Sequence, residues 1–288
     1  MLTDPTPPTV LARAVHRMVG EYAEGAGDPE SSVVSVWLAG LAGDPVLDVN
    51  GDAVHYAAST MKLPLLVAAF RRHERGEIDL DAEVPVHNEF ASAADGSPFS
   101  LDPAEDQDDE TWAALGTAQT LRRLAEHMIV HSGNLATNLL LERVGAGEVA
   151  SVLVDAGCSP ETVIVRGIED AVARRSGLDN LVTARDLGVV LRGVADRTLA
   201  EPDTCAAVED VLAGQRHRDM IPAGLPAGTF VANKTGWVAG VSHDVALVRP
   251  AGLPPYVLSV CTTLPVPEET AAALVARISA AVWEEWSR

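Results

Sequence analysis

The sequence is poor in positive charge and has no long hydrophobic run. Lysine and arginine together number 21 against 41 aspartates and glutamates, so the formal net charge is −20 at pH 7. A surface of this sign repels phosphate backbones and anionic lipids. No apolar segment is long enough to span a bilayer. We therefore expect neither nucleic acid nor a membrane as a partner.

Cysteine is also scarce, and its placement is irregular. Cys158, Cys205 and Cys261 are an odd number at wide spacings and show no metal-like pairing. A disulfide framework is not indicated, because at most one pair could form a bridge, and buried thiols are expected instead.

A basic start followed by an apolar segment, the pattern of an export signal, is missing as well. The chain begins MLTDPTPPTVLARAVHR, which contains neither part of that pattern. From this we expect a cytoplasmic protein. The alternative is an exported protein whose signal has been removed.

What is present is the composition of a folded protein, since 47% of the 288 residues are hydrophobic. Apolar positions at helical spacing predict an amphipathic helix over residues 8–22, and two β-rich runs in SSVVSVWLAGLAGDPVLDVN predict a hairpin. The middle of the chain reads as mostly helical, with Thr183 and Asp186 as a capping pair. Three β-rich runs and a final helix follow Gly228.

Strands at both ends of the chain must meet to complete one sheet. The expected fold is therefore of the α/β (α+β) class, an antiparallel sheet flanked by the terminal helices with an inserted all-helical lobe. We expect one domain, 1–288, in which 1–58 and 194–288 form the α/β lobe and 59–193 the helical lobe. A cleft between the lobes is the expected place for a site, and the protein is expected to be a monomer.

The most acidic stretch, DPAEDQDDE over residues 102–110, is expected to be a solvated loop, because so many carboxylates pack poorly.

Ser59 and Lys62 stand three residues apart at the start of an apolar run, in AASTMKLPLL. On a helix they lie one turn apart on the same face. A serine becomes a nucleophile when a neighbouring base takes its proton, and a lysine serves as that base when burial lowers its pKa. The alternative is a helix cap beside a surface lysine.

Two further motifs follow. Ser132-Gly133-Asn134 lies between two apolar helices, where a short loop can aim a hydroxyl and a carboxamide into a cleft; the alternative is a turn in which Asn134 caps the next helix. Lys234, Thr235 and Gly236 fall in a predicted strand, where glycine permits close backbone approach to a ligand. The alternative there is an edge lysine that blocks sheet pairing.

The ordered set Ser-x-x-Lys, Ser-x-Asn and Lys-Thr-Gly resembles the serine β-lactamase and penicillin-binding protein superfamily, and the flanking text is similar to its class A branch. The resemblance covers nearly the whole chain. It implies a serine hydrolase that opens β-lactam rings through an acyl-enzyme. It also implies that no metal and no organic cofactor is needed, and that the partner is a small β-lactam or a related amide or ester.

The resemblance assigns roles to individual positions. Ser59 is expected to be acylated, Lys62 to exchange its proton, and Ser132 to relay a proton to the leaving nitrogen. Three further positions are expected to bind substrate: Asn134 its amide side chain, and Lys234 and Thr235 its carboxylate.

The backbone amides of Ser59 and Trp237 are expected to form the oxyanion hole, beside Gly236. The second motif usually has Asp at its centre, where Gly133 stands here.

The sequence departs from the family at the omega loop, where VIVRGIEDAVARRSGLDNL contains no Glu-x-x-Leu-Asn. Glu169 is the best candidate for the base that activates the deacylating water, followed by Asp170, and Asn180 is a candidate to hold that water. The alternative pairs Glu169 with Arg166 or Arg174 as a structural ion pair.

Other departures bear on substrate. Trp237 and Val238 replace small or polar residues, and a large ring there would crowd the substrate unless it turns away. His243 is expected to be a packed strand residue and Asp244 to match a structural aspartate, while a carboxylate-binding arginine is missing. Two alternatives therefore stay open: an esterase or D-alanyl peptidase-like hydrolase, and a non-hydrolytic penicillin-binding protein.

Overall fold

A computed structural model describes residues 10–25 and 32–288. The first two positions of the helix predicted over 8–22 lie outside these residues; the rest of it is confirmed. In chain order the helices are α1 Val10–Gly25, α2 Lys62–Glu74, α3 Asp109–Ala113, α4 Leu121–Val130, α5 Asn134–Val144, α6 Ala146–Asp155, α7 Ala171–Arg175, α8 Ala184–Ala195, α9 Pro202–Ala213 and α10 Glu268–Trp286. The strands are β1 Val33–Gly40, β2 Leu47–Val49, β3 Val54–Tyr56, β4 Glu83–Pro85, β5 Phe90–Ala91, β6 Pro98–Phe99, β7 Ala118–Thr120, β8 Leu181–Thr183, β9 Phe230–Val238, β10 Val241–Arg249 and β11 Tyr256–Thr263.

The main sheet has five antiparallel strands in the order β2-β1-β11-β10-β9. Strands from the two ends of the chain meet where β1 pairs with β11, with Val36 opposite Val260. The predicted antiparallel sheet and its N-terminal hairpin are therefore confirmed. Strand β9 forms one edge of this sheet, so one side of its backbone is free of strand partners within the sheet.

Alternate side chains of the strands enter two separate cores. In β1, Val36 and Leu38 pack with apolar residues of α1 and α10, whereas Trp37 and Ala39 face the core shared with α2 and α8. This alternation follows from the two-residue period of a strand. The terminal helices thus cover one face of the sheet, as predicted.

Helix α8 lies between the sheet and α2. Gly188 allows the close approach, because a Cβ at this position would lie 2.2 Å from the Trp37 ring. The cap predicted for this helix is present, since the Thr183 hydroxyl accepts a hydrogen bond from the Asp186 amide. The predicted lobe boundary at 193–194 falls inside α8, and the division into lobes stays a prediction.

Helix α2 runs through the centre of the helical region. Its first nine residues are all buried, Lys62 among them, against α4, α5, α6 and α9. Of the cysteines, Cys205 and Cys261 are buried thiols and Cys158 is partly buried. Among the described residues, no helix combines the length and apolar character needed to cross a bilayer.

The prediction that residues 102–110 form a fully solvated loop is wrong for part of the stretch. Asp108 is completely buried, where its carboxylate accepts hydrogen bonds from Thr111 and His127. Asp106 accepts from the amides of Asn134 and Leu135 at the start of α5. Asp108 is buried and Asp106 is partly buried because each has specific donors, which a count of charges does not reveal.

Candidate active site

A cavity of about 690 Å³ lies beside β9 and the start of α2. Ser59, Ser132, Asn134, Glu169 and Trp237 line it together, although they are far apart in sequence. The other predicted site residues, Lys62, Lys234, Thr235 and Gly236, are contiguous with this lining and are described below. The structure therefore brings all nine predicted positions to one place.

Ser59 lies in a 3-10 turn over Ala58–Met61 that leads directly into α2. Ala58 has a φ of 43°, a left-handed conformation that is strained for a residue with a Cβ. Gly236 of β9 packs against this turn, because a Cβ there would lie 2.9 Å from the Ser59 amide nitrogen and 2.8 Å from that of Thr60. The predicted close approach at Gly236 is thus made by the backbone of the Ser59 turn.

Ser132 occupies the short loop between α4 and α5 and is itself left-handed, with a φ of 61°. The loop is held by Asp106, which caps α5 through its contacts with the Asn134 and Leu135 amides over 2.8 Å. Asn134 is therefore the first residue of α5 and not its cap. Its side-chain oxygen is free to accept a hydrogen bond from elsewhere.

Lys62 donates three hydrogen bonds to this loop. Its Nζ lies 2.6 Å from the Ser132 carbonyl, 3.3 Å from Ser132 Oγ and 2.9 Å from Asn134 Oδ1. Burial lowers the pKa of Lys62 to about 7, although Asp106 and Asp108 oppose the shift. A substantial fraction of this amine is therefore neutral at physiological pH, as a proton acceptor requires.

Lys234 also donates a hydrogen bond to the Ser132 hydroxyl. Its Nζ donates to Ser132 Oγ over 3.1 Å and to the Thr235 carbonyl over 2.7 Å. Burial, followed by the positive charge of Lys62, lowers the pKa of Lys234 well below its ordinary value, while Asp244 opposes this. Lys62 and Lys234 are the only two lysines in the sequence, and both are completely buried here.

The strand carrying Lys234 is anchored from behind by Asp244. This carboxylate accepts from Asn233 Nδ2 and from the Ile221 amide, both over 3.0 Å. Burial raises its pKa to about 7, against those hydrogen bonds and the attraction of Lys234. Asp244 is thus a structural group, as its resemblance to the family implied.

Trp237 and Thr235 are placed on either side of Gly236. The Trp237 ring packs against the His217 ring, with 4.6 Å between centroids, and forms part of the cavity wall. Thr235 is buried, and its Oγ1 has no hydrogen-bond partner within the described part of the chain.

Glu169 lies on the loop between β-bridge residue Val163 and β8, in a left-handed conformation with a φ of 62°. Its Oε2 accepts from the Asp102 amide over 2.9 Å, and its Oε1 is buried without a partner among residues 10–25 and 32–288. Burial raises the pKa of Glu169, and the nearby acidic side chains add to the shift. These properties suit a general base, because a raised pKa makes a carboxylate more basic.

The alternative ion pairs for Glu169 are not the ones formed. Arg166 pairs with Asp179 across the base of the loop, and the guanidinium groups of Arg166 and Arg174 lie 5.8 and 5.4 Å from the ring centroid of Tyr56. Both arginines line the cavity and bring positive charge to it. Their place on the cavity was not predicted from the sequence.

The second candidates on this loop are structural. Asp170 is buried and caps α7, accepting from Ala173 N as well as from the Ser92 hydroxyl and the Ala93 amide. Asn180 is buried too, with its Oδ1 accepting from Val165 and Arg166 amides and its Nδ2 donating to the Arg166 carbonyl. Both side chains hold the loop in place and also line the cavity. The roles predicted for them, Asp170 as a second candidate for the base and Asn180 as a group that holds the water, stay predictions.

Comparison with known proteins decides the family. The model of the beta-lactamase enzyme family matches residues 13–286. The chain belongs to that family. Beta-lactamase 1 of Streptomyces cacaoi is 30% identical over 154 residues, which is 51% of this chain and 47% of that protein. A beta-lactamase of Streptomyces lavendulae is 29% identical over 160 residues, 54% of this chain and 52% of that protein. The chain thus spans about half the length of the curated relatives it matches.

Solved structures of this fold extend the likeness over the whole chain. A beta-lactamase from Sphaerobacter thermophilus superposes with a TM-score of 0.80 at 23% identity, covering 96% of this chain and 97% of the other. A protein named PBP-A superposes with a TM-score of 0.79 at 23% identity, covering 100% of this chain and 99% of the other. These likenesses establish the fold.

Within this family fold, three described residues with positive φ fall on the cavity or directly beside its nucleophile candidate: Ala58, Ser132 and Glu169. Such conformations cost of order 1–3 kcal/mol each and cluster at functional sites. The sequence predicted the side chains of Ser132 and Glu169 as site residues, but not their backbone strain.

His243 is buried on β10, and its Nε2 lies 2.9 Å from the Tyr56 carbonyl oxygen. It is a packed strand histidine, as expected.

Proposed function

We propose that this protein is a serine hydrolase of the class A β-lactamase type that opens β-lactam rings through an acyl-enzyme on Ser59. The observation that carries the proposal is the pair of buried lysines that both donate to Ser132 Oγ beside the Ser59 turn. In this arrangement Lys62, with a pKa of about 7, accepts the Ser59 proton during acylation. Ser132 then passes its proton to the departing ring nitrogen and takes up in its place the proton that Lys62 received from Ser59. Lys234 supplies positive charge for the substrate carboxylate.

Deacylation needs a second base, and we assign it to Glu169. Its raised pKa, its unpartnered buried oxygen and its place on the cavity support the assignment. An acyl-enzyme water within reach of this carboxylate would be deprotonated as it attacks the ester of Ser59. The backbone amides of Ser59 and Trp237 remain our candidates for the oxyanion hole.

Intact-protein mass spectrometry tests both steps. Wild type, mixed with a penicillin and with a cephalosporin and sampled from seconds to hours, is expected to gain one acyl adduct that then disappears. Ser59→Ala is expected to form none, and Glu169→Gln is expected to form an adduct that persists. Ser151→Ala on the exposed face of α6 and the exposed Glu89→Gln are matched controls that should behave as wild type. An adduct on Ser59→Ala would overturn the assignment of the nucleophile.

A second candidate is a non-hydrolytic penicillin-binding protein. It is favoured by the absence of Glu-x-x-Leu-Asn and by the contact that holds Glu169 Oε2 on the Asp102 amide. The structural likeness to PBP-A is compatible with it. A wild-type adduct that persists for hours would select this candidate. The remaining alternative, an esterase or D-alanyl peptidase-like hydrolase, would cleave an activated ester faster than a cephalosporin.

A further inference from the structure

A second group of ionisable side chains lies outside the active-site cavity, where α3 faces the end of α4. Glu110, His127 and His131 each place one potential ligand atom within 4.8 Å of the others. The histidines are four residues apart, a spacing that brings two imidazoles to one side of a helical turn. All three side chains line a separate surface cavity of about 340 Å³.

The imidazole of His127 is oriented by Asp108. Its Nδ1 lies 3.0 Å from Asp108 Oδ2, and this carboxylate also accepts from Thr111. Burial opposes ionisation of Asp108, but the hydrogen bonds from His127 and Thr111 outweigh it and lower its pKa. Because a carboxylate oxygen accepts, the Nδ1 N–H of His127 donates to Asp108, and Nε2 is left on the side of Glu110.

The other ring nitrogen of His127, Nε2, is buried. His127 is 2% exposed, and its Nε2 has no hydrogen-bond partner among the described residues. The nearest carboxylate oxygen, Glu110 Oε2, lies 3.7 Å away. A bound water or ion is one way in which a buried polar atom without a protein partner is satisfied. A histidine that gives its other N–H to a carboxylate is the usual arrangement behind a metal ion.

We propose that Glu110, His127 and His131 bind a divalent transition-metal ion of the Zn²⁺ class, with water or the neighbouring Asp210 as a fourth ligand. Imidazole nitrogens with a carboxylate oxygen form the donor set that Zn²⁺ accepts. Asp210 and Glu126 line the same cavity and add negative charge. The site is distinct from the residues that the hydrolytic reaction uses.

Metal binding needs only small movements. Ligand atoms around a tetrahedral Zn²⁺ lie about 3.3 Å apart, so the distances between the three groups must shorten by up to about 1.5 Å. Glu110 is exposed and His131 is partly exposed, so both can adjust to a fixed His127.

The positive charges of two arginines oppose the binding of a metal ion at this site. Arg123 donates to Glu110 Oε2 over 2.8 Å, and Arg216 Nη1 lies 3.5 Å from His131 Nδ1. Both arginines are exposed, and exposed ion pairs contribute little to stability, so a metal ion can displace them. An occupied site would join α3 to the residue that directly precedes Ser132.

Isothermal titration with ZnCl₂ and visible spectroscopy with CoCl₂, on the full chain after EDTA treatment, test the proposal. Wild type is expected to bind one ion per chain, with the intense visible absorption of tetrahedral Co²⁺. His131→Gln and Glu110→Gln are each expected to weaken binding by about tenfold or more. Arg216→Ala is expected to tighten it. His87→Gln, which changes a histidine paired with Glu142 elsewhere, is the matched control.

The test uses the variants at Glu110 and His131, because His127→Gln would remove a buried side chain on which the fold depends. Circular dichroism of His131→Gln and Glu110→Gln establishes that both variants fold. If wild type does not bind Zn²⁺ at millimolar concentration, or if these two variants bind it as tightly as wild type, the proposal is wrong. Octahedral Co²⁺ absorption with affinity unchanged in both variants would mean adventitious surface binding and would also overturn it.

Discussion

Lys62 and Lys234 donate hydrogen bonds to one shared oxygen, Ser132 Oγ, over 3.3 and 3.1 Å. Two ammonium groups so close together in a buried site repel each other, and burial favours the neutral form of both. The sequence contains no other lysine. Both lysines of a protein with a net charge of −20 therefore contact the same hydroxyl group. We therefore expect an anion bound in the cavity to raise the pKa of both amines.

The first prediction concerns the pH dependence of acylation. Because burial lowers the pKa of Lys62 to about 7, its neutral fraction rises as the pH increases through 7. The acylation rate constant with a penicillin is therefore expected to increase about tenfold per pH unit below the pKa and to level off above it. Stopped-flow kinetics from about pH 5.5 to 8.5 measures this. A flat profile would exclude Lys62 as the acylation base.

The same ionisation can be observed directly. With ¹³C-labelled lysine the protein shows only the Lys62 and Lys234 side chains, so each NMR titration can be assigned with one Lys→Met variant. The expected result is a lysine that titrates near pH 7.

The second prediction concerns the close contact at Gly236. In Gly236→Ala the new Cβ would lie within 3 Å of the amide nitrogens of Ser59 and Thr60, which are backbone atoms and cannot rotate away. We expect the Ser59 turn to be displaced and the acylation rate to fall by about 10²-fold, the loss that a misplacement of about 1 Å produces. Gly147→Ala in α6, where the added Cβ meets nothing within 4 Å, is the control and should react at the wild-type rate.

The third prediction concerns Asp106, which caps α5 and also raises the pKa of Lys62. Asp106→Ala is expected to lower the free energy of unfolding by about 1–2 kcal/mol through the lost cap. It is also expected to lower the pKa of Lys62, because a carboxylate that stabilises the ammonium form is gone. Urea unfolding and the pH profile of acylation measure the two effects. The exposed Asp109→Ala, from the same acidic run, should move the profile much less.

The fourth prediction concerns a buried histidine pair. The rings of His55 and His243 lie 5.3 Å apart. Burial lowers the pKa of His55 to about 3 and that of His243 to about 4, and the charge of His243 adds to the shift of His55. In the unfolded chain both keep the ordinary value of 6.5. Between these values only the unfolded chain binds the protons, so stability falls as the pH drops below about 6.5 and stops falling below about 3.

In that pH range the free energy of unfolding is expected to fall by about 1.4 kcal/mol for each histidine when the pH is lowered by one unit. His55→Gln keeps a donor and an acceptor for Ser35 and Thr263 and is expected to reduce the slope by one histidine's share. Urea unfolding at about pH 7 and pH 5 measures the difference. The exposed His16→Gln on α1 serves as the comparison, and a His55→Gln slope equal to that of His16→Gln would contradict the prediction.

The fifth prediction separates the two chemical steps. Asn138 holds the loop that carries Glu169, because its Oδ1 accepts from the Ile168 amide and its Nδ2 donates to the Ile168 carbonyl. Asn138→Ala releases both contacts, so Glu169 is expected to lose its position while Ser59, Lys62 and Ser132 keep theirs. Deacylation should slow by at least about tenfold and acylation by much less. Equal slowing of both steps in single-turnover mass spectrometry would mean that the whole cavity is disturbed.

Local patterns predicted those parts of the molecule whose structure depends on neighbours in sequence. The β-rich runs predicted strands β1, β10 and β11, and the capping pair at α8 needs only two residues three positions apart. Residues 102–110 are the counterexample. Their charge alone predicted solvation, yet Asp106 and Asp108 are held by donors from α3, α4 and α5.

The sequence by itself determined the sheet, the terminal helices and the three motifs that carry the reactive side chains, because each depends on periodicity or on residues a few positions apart. Only the tertiary structure decided how distant residues act on one another. Two lysines 172 positions apart converge on Ser132, and His127 faces Glu110 and His131. Asp170 caps a helix, whereas Glu169 has a side-chain oxygen without a hydrogen-bond partner among the described residues. Such relationships depend on burial and on donors from distant elements, which set the pKa values and hydrogen bonds that no local stretch of sequence contains.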